Sequence, residues 1–268
     1  MADTPSVAAP APVDDDRPTG ILDTPNPGRE LHATIDGEVV ARLPVRTHLV
    51  TPSDDAVDVV TRYVNPLPSG VRFVAVSERM VAITQGRSYP MSQIRPSRLA
   101  RFLVRFVTRP GYGIGLGTPE TMELAIREVG RPRILFAAAA SAVTKPFRVH
   151  GVFYRLAGPQ AGAIDGPTQY TIAPYNDAAT LGPRDPNGAA RRMAEALGVP
   201  VAVIDANDAG CNVLGASSGV DKRFVTRCFA DNPLGQASER TPICVVRTVE
   251  WPAGDPLPPE PKRRLTPP

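Results

Sequence analysis

Long apolar runs are missing from this chain: none approaches the roughly 20 residues that a membrane-spanning helix requires. The start lacks the basic-then-apolar order of a secretory signal, so the expectation is a cytoplasmic protein with no membrane partner. Cysteine is scarce as well. Cys211, Cys228 and Cys244 are odd in number and show no metal-ligand spacing, which argues for free thiols in a reducing compartment rather than a disulfide framework. Charge of one sign is also lacking: the net charge is +3 and the 30 Lys and Arg are spread along the chain, which leaves no nucleic-acid footprint. There is no internal repeat, no Gly-Lys-Ser/Thr phosphate loop and no dinucleotide-type glycine spacing.

What is present centres on Val201-Ala202-Val203-Ile204-Asp205-Ala206-Asn207-Asp208-Ala209-Gly210. A short β-branched run reads as a buried strand, and it stops at two aspartates, an asparagine and a glycine. Carboxylates at the end of a core strand are held firmly yet reached by solvent, as a hard cation bound by oxygen ligands needs. Asp205 and Asp208 equally suit a turn or a helix cap. Asp165, in Ile164-Asp165-Gly166-Pro167 after the alternating run from His150 to Gly158, is a second carboxylate at the end of a β segment, and Asp-Gly-Pro also reads as a turn.

Around this centre, residues 1–29 are rich in Pro, Ala and Asp and are expected to be a disordered tail, while 251–268 form a Pro-rich basic tail. The folded domain spans 30–250. Asp36-Gly37 between two apolar runs signals a two-residue hairpin. Ser53 is the expected cap of a helix carrying Ala56 to Val64, Val71 to Ser77 a strand, and Met80 to Thr84 its hairpin partner. Ser97 caps a helix over Arg98 to Val107, its arginines on a solvated face. Gly111 to Gly117 runs into Thr118-Pro119, which starts a helix to about Val129; glycines leading into a helix N-terminus are a general anion-binding arrangement, and a substrate loop is equally allowed. Arg133 to Val143 reads as a central strand, Asn187 as the cap of the helix ended by Gly198, the stretch from Asn212 to Gly219 as a polar loop, Asp221 to Phe229 as a helix, and Pro242 to Val249 as a closing strand. The class expected is α+β.

From Leu43 to Arg247 the order of Asp54-Asp55, Ser77-Glu78-Arg79-Met80-Val81-Ala82-Ile83-Thr84-Gln85-Gly86-Arg87, Ile164-Asp165-Gly166, Val203-Ile204-Asp205 and Asn232-Pro233-Leu234-Gly235-Gln236 resembles the coenzyme F-420 gamma-glutamyl ligase family, in particular its bacterial ligase-like branch. The resemblance implies a homodimer that uses GTP (or ATP) and Mg²⁺ or Mn²⁺ to join L-glutamate or another amino acid to a carboxylate substrate. It assigns Asp165, Asp205 and Gln236 to the metal. Leu43, Pro44, Val45 and Arg46 are similar to its nucleotide-contacting start and Thr168 is expected at the nucleotide too; Arg79, Arg87 or Arg46 is expected to stand in for a lysine the family places there, and Asp208, at the end of the organising strand, is read as an added ligand or the base for the incoming amine. Glu78 and Ile83 stand where the family carries Ser and Lys, Thr168 where it carries Asn, and Ala206 where it carries Thr. Losing a lysine removes a point charge from the phosphates. The alternative is therefore a ligand-binding or regulatory module on the same fold.

Overall fold

Asp36 and Gly37 take positive φ values of 53° and 82°, the turn that lets two strands reverse in two residues. They join β2 (His32–Ile35) to β3 (Glu38–Arg46), and the end of β3 also pairs with β1 (Gly20–Ile21). The computed structural model describes residues 18–107, 115–144, 151–168, 171–235 and 238–264. The N-terminal tail expectation is corrected from residue 18 onward: β1 is hydrogen-bonded into a sheet, and Asn26 is 2% exposed with its amide donating to Pro233 and Leu234 carbonyls. After β3 come α1 (Ala56–Val64), β4 (Val71–Ser77) and α2 (Glu78–Thr84). Asp55, not Ser53, caps α1, its carboxylate accepting from the Val57 and Asp58 N–H groups, while Asp54 ties down Thr51. The expected hairpin partner at Met80 to Thr84 is instead the helix α2. A continuous apolar run of that length fits either state, and burial of Met80, Val81, Ala82 and Ile83 in succession leaves no period in the sequence to separate the two.

The chain forms two compact units, and the smaller is inserted in the larger. The smaller is built on Ser88–Gly182 and contains β5 (Ser88–Pro90), α3 (Arg98–Leu103), α4 (Pro119–Val129), α5 (Arg131–Thr144), α6 (Val152–Ala157), α7 (Pro159–Gly162) and β6 (Ala178–Thr180). A 3-10 turn, Val104–Phe106, continues α3, which Ser97 caps as expected. Thr118 and Thr121 close a capping box at the start of α4, with Pro119 in the first turn. Arg133 to Val143 is helical rather than a central strand, because four consecutive alanines favour helix and offer a sheet no β-branched surface. The expected strand near His150 to Gly158 is likewise α6, where Phe153 and Ala157, one turn apart, face the core. Met122, Leu124, Ile126, Ile134, Phe153 and Ile164 are among the buried residues of this unit's own apolar core.

The larger unit joins Arg17–Arg87 to Pro183–Pro268 and resumes with α8 (Pro186–Leu197), β7 (Val201–Asn207), β8 (Gly210–Ala216), α9 (Lys222–Cys228) and β9 (Ile243–Thr248). Its exit and return are tied within the unit: the Gln85 amide donates to the Arg184 carbonyl at 3.0 Å and accepts from the Arg184 N–H at 2.7 Å. The mixed sheet runs β1-β3-β9-β4-β7-β8, with β2 also on β3; only β4 and β7 are parallel. The expected closing strand β9 thus lies between β3 and β4. Alternation sends Phe73, Ala75, Ala202, Ile204, Cys244 and Val246 into one core with Phe224 and Val225 of α9. Val74, Val76, Val201 and Val203 are equally buried on the opposite face. Asp185, not Asn187, caps α8, and the expected polar loop after Gly210 is the strand β8. The C-terminal segment from Trp251 crosses the unit without regular structure, accepting from Thr34 at the Pro258 and Pro259 carbonyls and ending with the Arg264 N–H on the Asp208 carbonyl.

The architecture is α+β: a seven-stranded mixed sheet with packed helices in the larger unit, and helices with a two-stranded sheet in the smaller. Among the described residues no helix is long and apolar enough to cross a membrane. Gly215 on β8 exposes how closely α8 approaches: a Cβ there would sit 2.2 Å from the Pro186 carbonyl carbon and 2.3 Å from its oxygen. Because backbone must move, Gly215→Ala is expected to destabilise the unit by about 1–2 kcal/mol, measurable as a lower denaturant midpoint with unchanged slope.

Candidate functional site

The parallel register places Ser77 beside Ile204, so the next residue along each chain, Glu78 at the start of α2 and Asp205 on β7, comes to the same end of the sheet. Both sit at the carboxyl ends of adjacent parallel strands, where open α/β sheets gather ligands. Burial pushes the Glu78 carboxyl up to about 8, the neighbouring Asp205 charge adds to the rise, and the Arg79 guanidinium opposes it. Burial also raises Asp205, against a hydrogen bond from the Asn207 amide at 3.3 Å and the charge of Arg79. With its carboxyl raised to about 8, Glu78 holds its proton at neutral pH, and burial raises Asp205 beside it as well. Such a pair can give up its proton to take a cation, or pass it to or from a substrate.

Hairpin pairing of β7 with β8 puts Cys211 opposite Ala206 and Asn212 opposite Asp205. Burial, then the Asp205 charge, pushes the Cys211 thiol up to about 12, so it is no nucleophile at neutral pH. Cys228 and Cys244 are buried, free and raised likewise by burial.

The structure brings together Arg79 and Asp205 of the expected residues. Asp208 lies in the turn between β7 and β8 and is ion-paired at 2.8 Å with Arg29, which also donates to the Asp231 carbonyl. Leu43, Pro44 and Val45 are strand residues in register with Val245, Cys244 and Ile243, and Arg46 donates to the Glu239 carbonyl at 3.2 Å. Arg87 follows α2 and is buried. Asp165 belongs to the smaller unit, where only an isolated bridge to Thr180 joins it to a strand, and Thr168 shares its hydroxyl with Thr171 at 2.6 Å. Gln236 and Gly111 to Ile114 of the glycine loop lie outside the described residues.

Among the described residues no three or more His, Cys, Asp or Glu side chains are grouped to hold a metal ion. No protein-family model matches the sequence, and no curated protein does. Glu78 is the residue that sequence reasoning missed. In sequence it stands only as a departure from the family's Ser, and its partner is supplied by parallel pairing with a distant segment. A carboxylate directly after a strand, facing another such strand, was the available signal.

Proposed function

We propose that this protein is a nucleotide- and divalent-metal-dependent amide ligase, and that Asp205 and Glu78 in the larger unit are its metal ligands. The observation that carries this reading is the half-buried acid pair with Arg79 at the carboxyl ends of β4 and β7. Two carboxylates suffice for Mg²⁺, which takes its remaining ligands from water and substrate phosphates rather than from an all-protein cage. Bound there, the ion would neutralise phosphate charge during phosphoryl transfer. Arg79 would hold a phosphate oxygen of GTP (or ATP). The carboxylate substrate would attack the terminal phosphorus and expel the nucleoside diphosphate; the amine of an amino acid would then attack the acyl carbon, inorganic phosphate leaving and the amine proton passing to solvent as the amide forms. L-Glutamate is the amino acid this reading favours, in a cytoplasmic homodimer.

Isothermal titration with GTP and with ATP, each with Mn²⁺, tests it. Nucleotide is expected to bind only with metal, releasing a proton from the acid pair, so the measured heat changes with the ionisation enthalpy of the buffer. Asp205→Asn is expected to weaken Mn²⁺ binding by about a hundredfold with the fold intact. Absence of nucleotide binding in the wild type removes the ligase. Ile83 favours a second reading: this residue, which stands where the family carries a lysine, is 5% exposed within α2 and offers the phosphates nothing. A protein that binds nucleotide yet releases no phosphate with any acid and amine pair is a ligand-binding module on this fold.

A further inference from the structure

Amide formation needs a base, and the carboxylates of the candidate site are engaged otherwise. Asp208 is ion-paired with Arg29, and Asp205 and Glu78 are the ligands proposed for the ion. The sheet brings another group to the same edge. Strands β3, β4 and β7 run in one direction, and Val45, Ile243, Val76 and Val203 share one row of the ladder. Just beyond that row lie His48 after β3, Glu78 after β4 and Asp205 on β7. With neighbouring strands about 5 Å apart, the end of β3 is about 10 Å from that of β4, across β9. Helix α1, which carries Tyr63, packs against α2, which carries Glu78.

His48 is held between an acid and a phenol. Its Nε2 is 3.1 Å from Asp54 Oδ1, and its Nδ1 is 2.8 Å from the Tyr63 hydroxyl. Asp54 also accepts from the Thr51 N–H and hydroxyl. Burial raises its carboxyl, and the hydrogen bonds from Thr51 and His48 outweigh burial and hold it below the ordinary range. A carboxylate only accepts, so it fixes the ring proton on Nε2 and leaves Nδ1 to accept from Tyr63. The His48 backbone N–H donates to the same phenol oxygen at 3.3 Å, which favours the charge that oxygen gains as its proton leaves. Hydroxyl, ring and orienting acid thus stand in the order that activates a hydroxyl. The His48 and Asp54 side chains are 32% and 22% exposed and Tyr63 is half-buried, so this chain of hydrogen bonds is open to a substrate.

We propose that Asp54, His48 and Tyr63 form a proton relay whose hydroxyl end is the base for the incoming amine, a role that rests on the ligase reading. As the nitrogen of the neutral amine bonds to the acyl carbon, its proton passes to the Tyr63 oxygen and the Tyr63 proton passes to His48 Nδ1. Inorganic phosphate leaves, and the imidazolium, held against the Asp54 carboxylate, then releases a proton to solvent. Tyr63 meets the substrate; His48 and Asp54 position and charge it.

Labelling of the full chain with 4-(2-aminoethyl)benzenesulfonyl fluoride tests the relay without a substrate: a phenol oxygen bonds to the sulfur, fluoride leaves, and the phenol proton needs an acceptor. Peptide mass spectrometry is expected to show Tyr63 modified at least about tenfold faster than Tyr89, which is half-buried likewise. His48→Gln and Asp54→Asn are expected to remove that advantage, with Tyr89 labelling and Tm near those of the wild type, since asparagine still accepts from Thr51. Equal rates at Tyr63 and Tyr89 in the wild type, or an unchanged Tyr63 rate in His48→Gln, overturn the proposal. With an acid that supports phosphate release, Tyr63→Phe is expected to lose amide formation about a hundredfold more than hydroxamate formation from added hydroxylamine, which attacks the acyl phosphate without a base. Amide formation at the wild-type rate in that variant also overturns it. Nucleotide binding with Mn²⁺ is independent of the labelling, so failure of the relay and failure of the ligase are read separately.

Discussion

Asp231→Ala is expected to cost the larger unit about 3–5 kcal/mol, most of its margin of stability. Arg42 of β3 is 1% exposed, and its guanidinium is held by both carboxylate oxygens of Asp231, by the Cys228 carbonyl at 2.9 Å and by the Glu30 carbonyl at 2.8 Å. Asp231 lies just beyond α9, so this one cluster pins β3, the segment before β2 and the end of α9. Truncating the acid leaves a buried cation with two carbonyl partners and no counter-charge. Removing both charges is a different matter, because the desolvation of each ion disappears together with their attraction. The double variant Arg42→Met, Asp231→Leu is therefore expected to recover most of the loss. Chemical denaturation of the two variants decides it, and a single variant no less stable than the double would contradict the buried-pair account.

The second large effect concerns pH. In metal-free buffer with chelator, Glu78→Gln is expected to stabilise the protein by about 3 kcal/mol at pH 8 and by little near pH 4.5. The sign follows from the raised carboxyl. Between the ordinary glutamate range and about 8, the folded chain holds a proton on Glu78 that the unfolded chain has released, so stability falls as pH rises through that window. Glutamine keeps the shape and cannot ionise, which removes the Glu78 share of the slope and leaves that of Asp205, also raised by burial. Thermal melts of both proteins from pH 4.5 to 8.5 read this directly, and parallel curves would show that Glu78 ionises freely. Saturating Mn²⁺ should shrink the wild-type slope, since a cation replaces the proton.

Features with local causes were legible in the sequence. Asp36-Gly37 fixes its turn through backbone conformations that few other pairs accept, Thr118-Pro119 starts α4 through a cap and a missing donor, and Val201 to Ile204 are a buried strand by residue type alone. Helices α2, α5 and α6 were not legible as such, because short apolar runs lack a period long enough to separate one turn of helix from a strand. The candidate site divides the same way. Asp205 stood out as an acid ending an apolar run, whereas Glu78 gained its meaning only from the β4–β7 register. Asp208 looked equally promising in sequence, and Arg29, from a segment expected to be a tail, is what occupies it.

The reciprocal amide clamp of Gln85 on the Arg184 backbone gives the chain a single doorway out of the sheet-bearing body and back. With both ends of the detour stapled side by side, the interrupted body can close on itself whatever length of polypeptide is looped through. Evolution is then free to lengthen, trim or exchange that cassette without rethreading a strand.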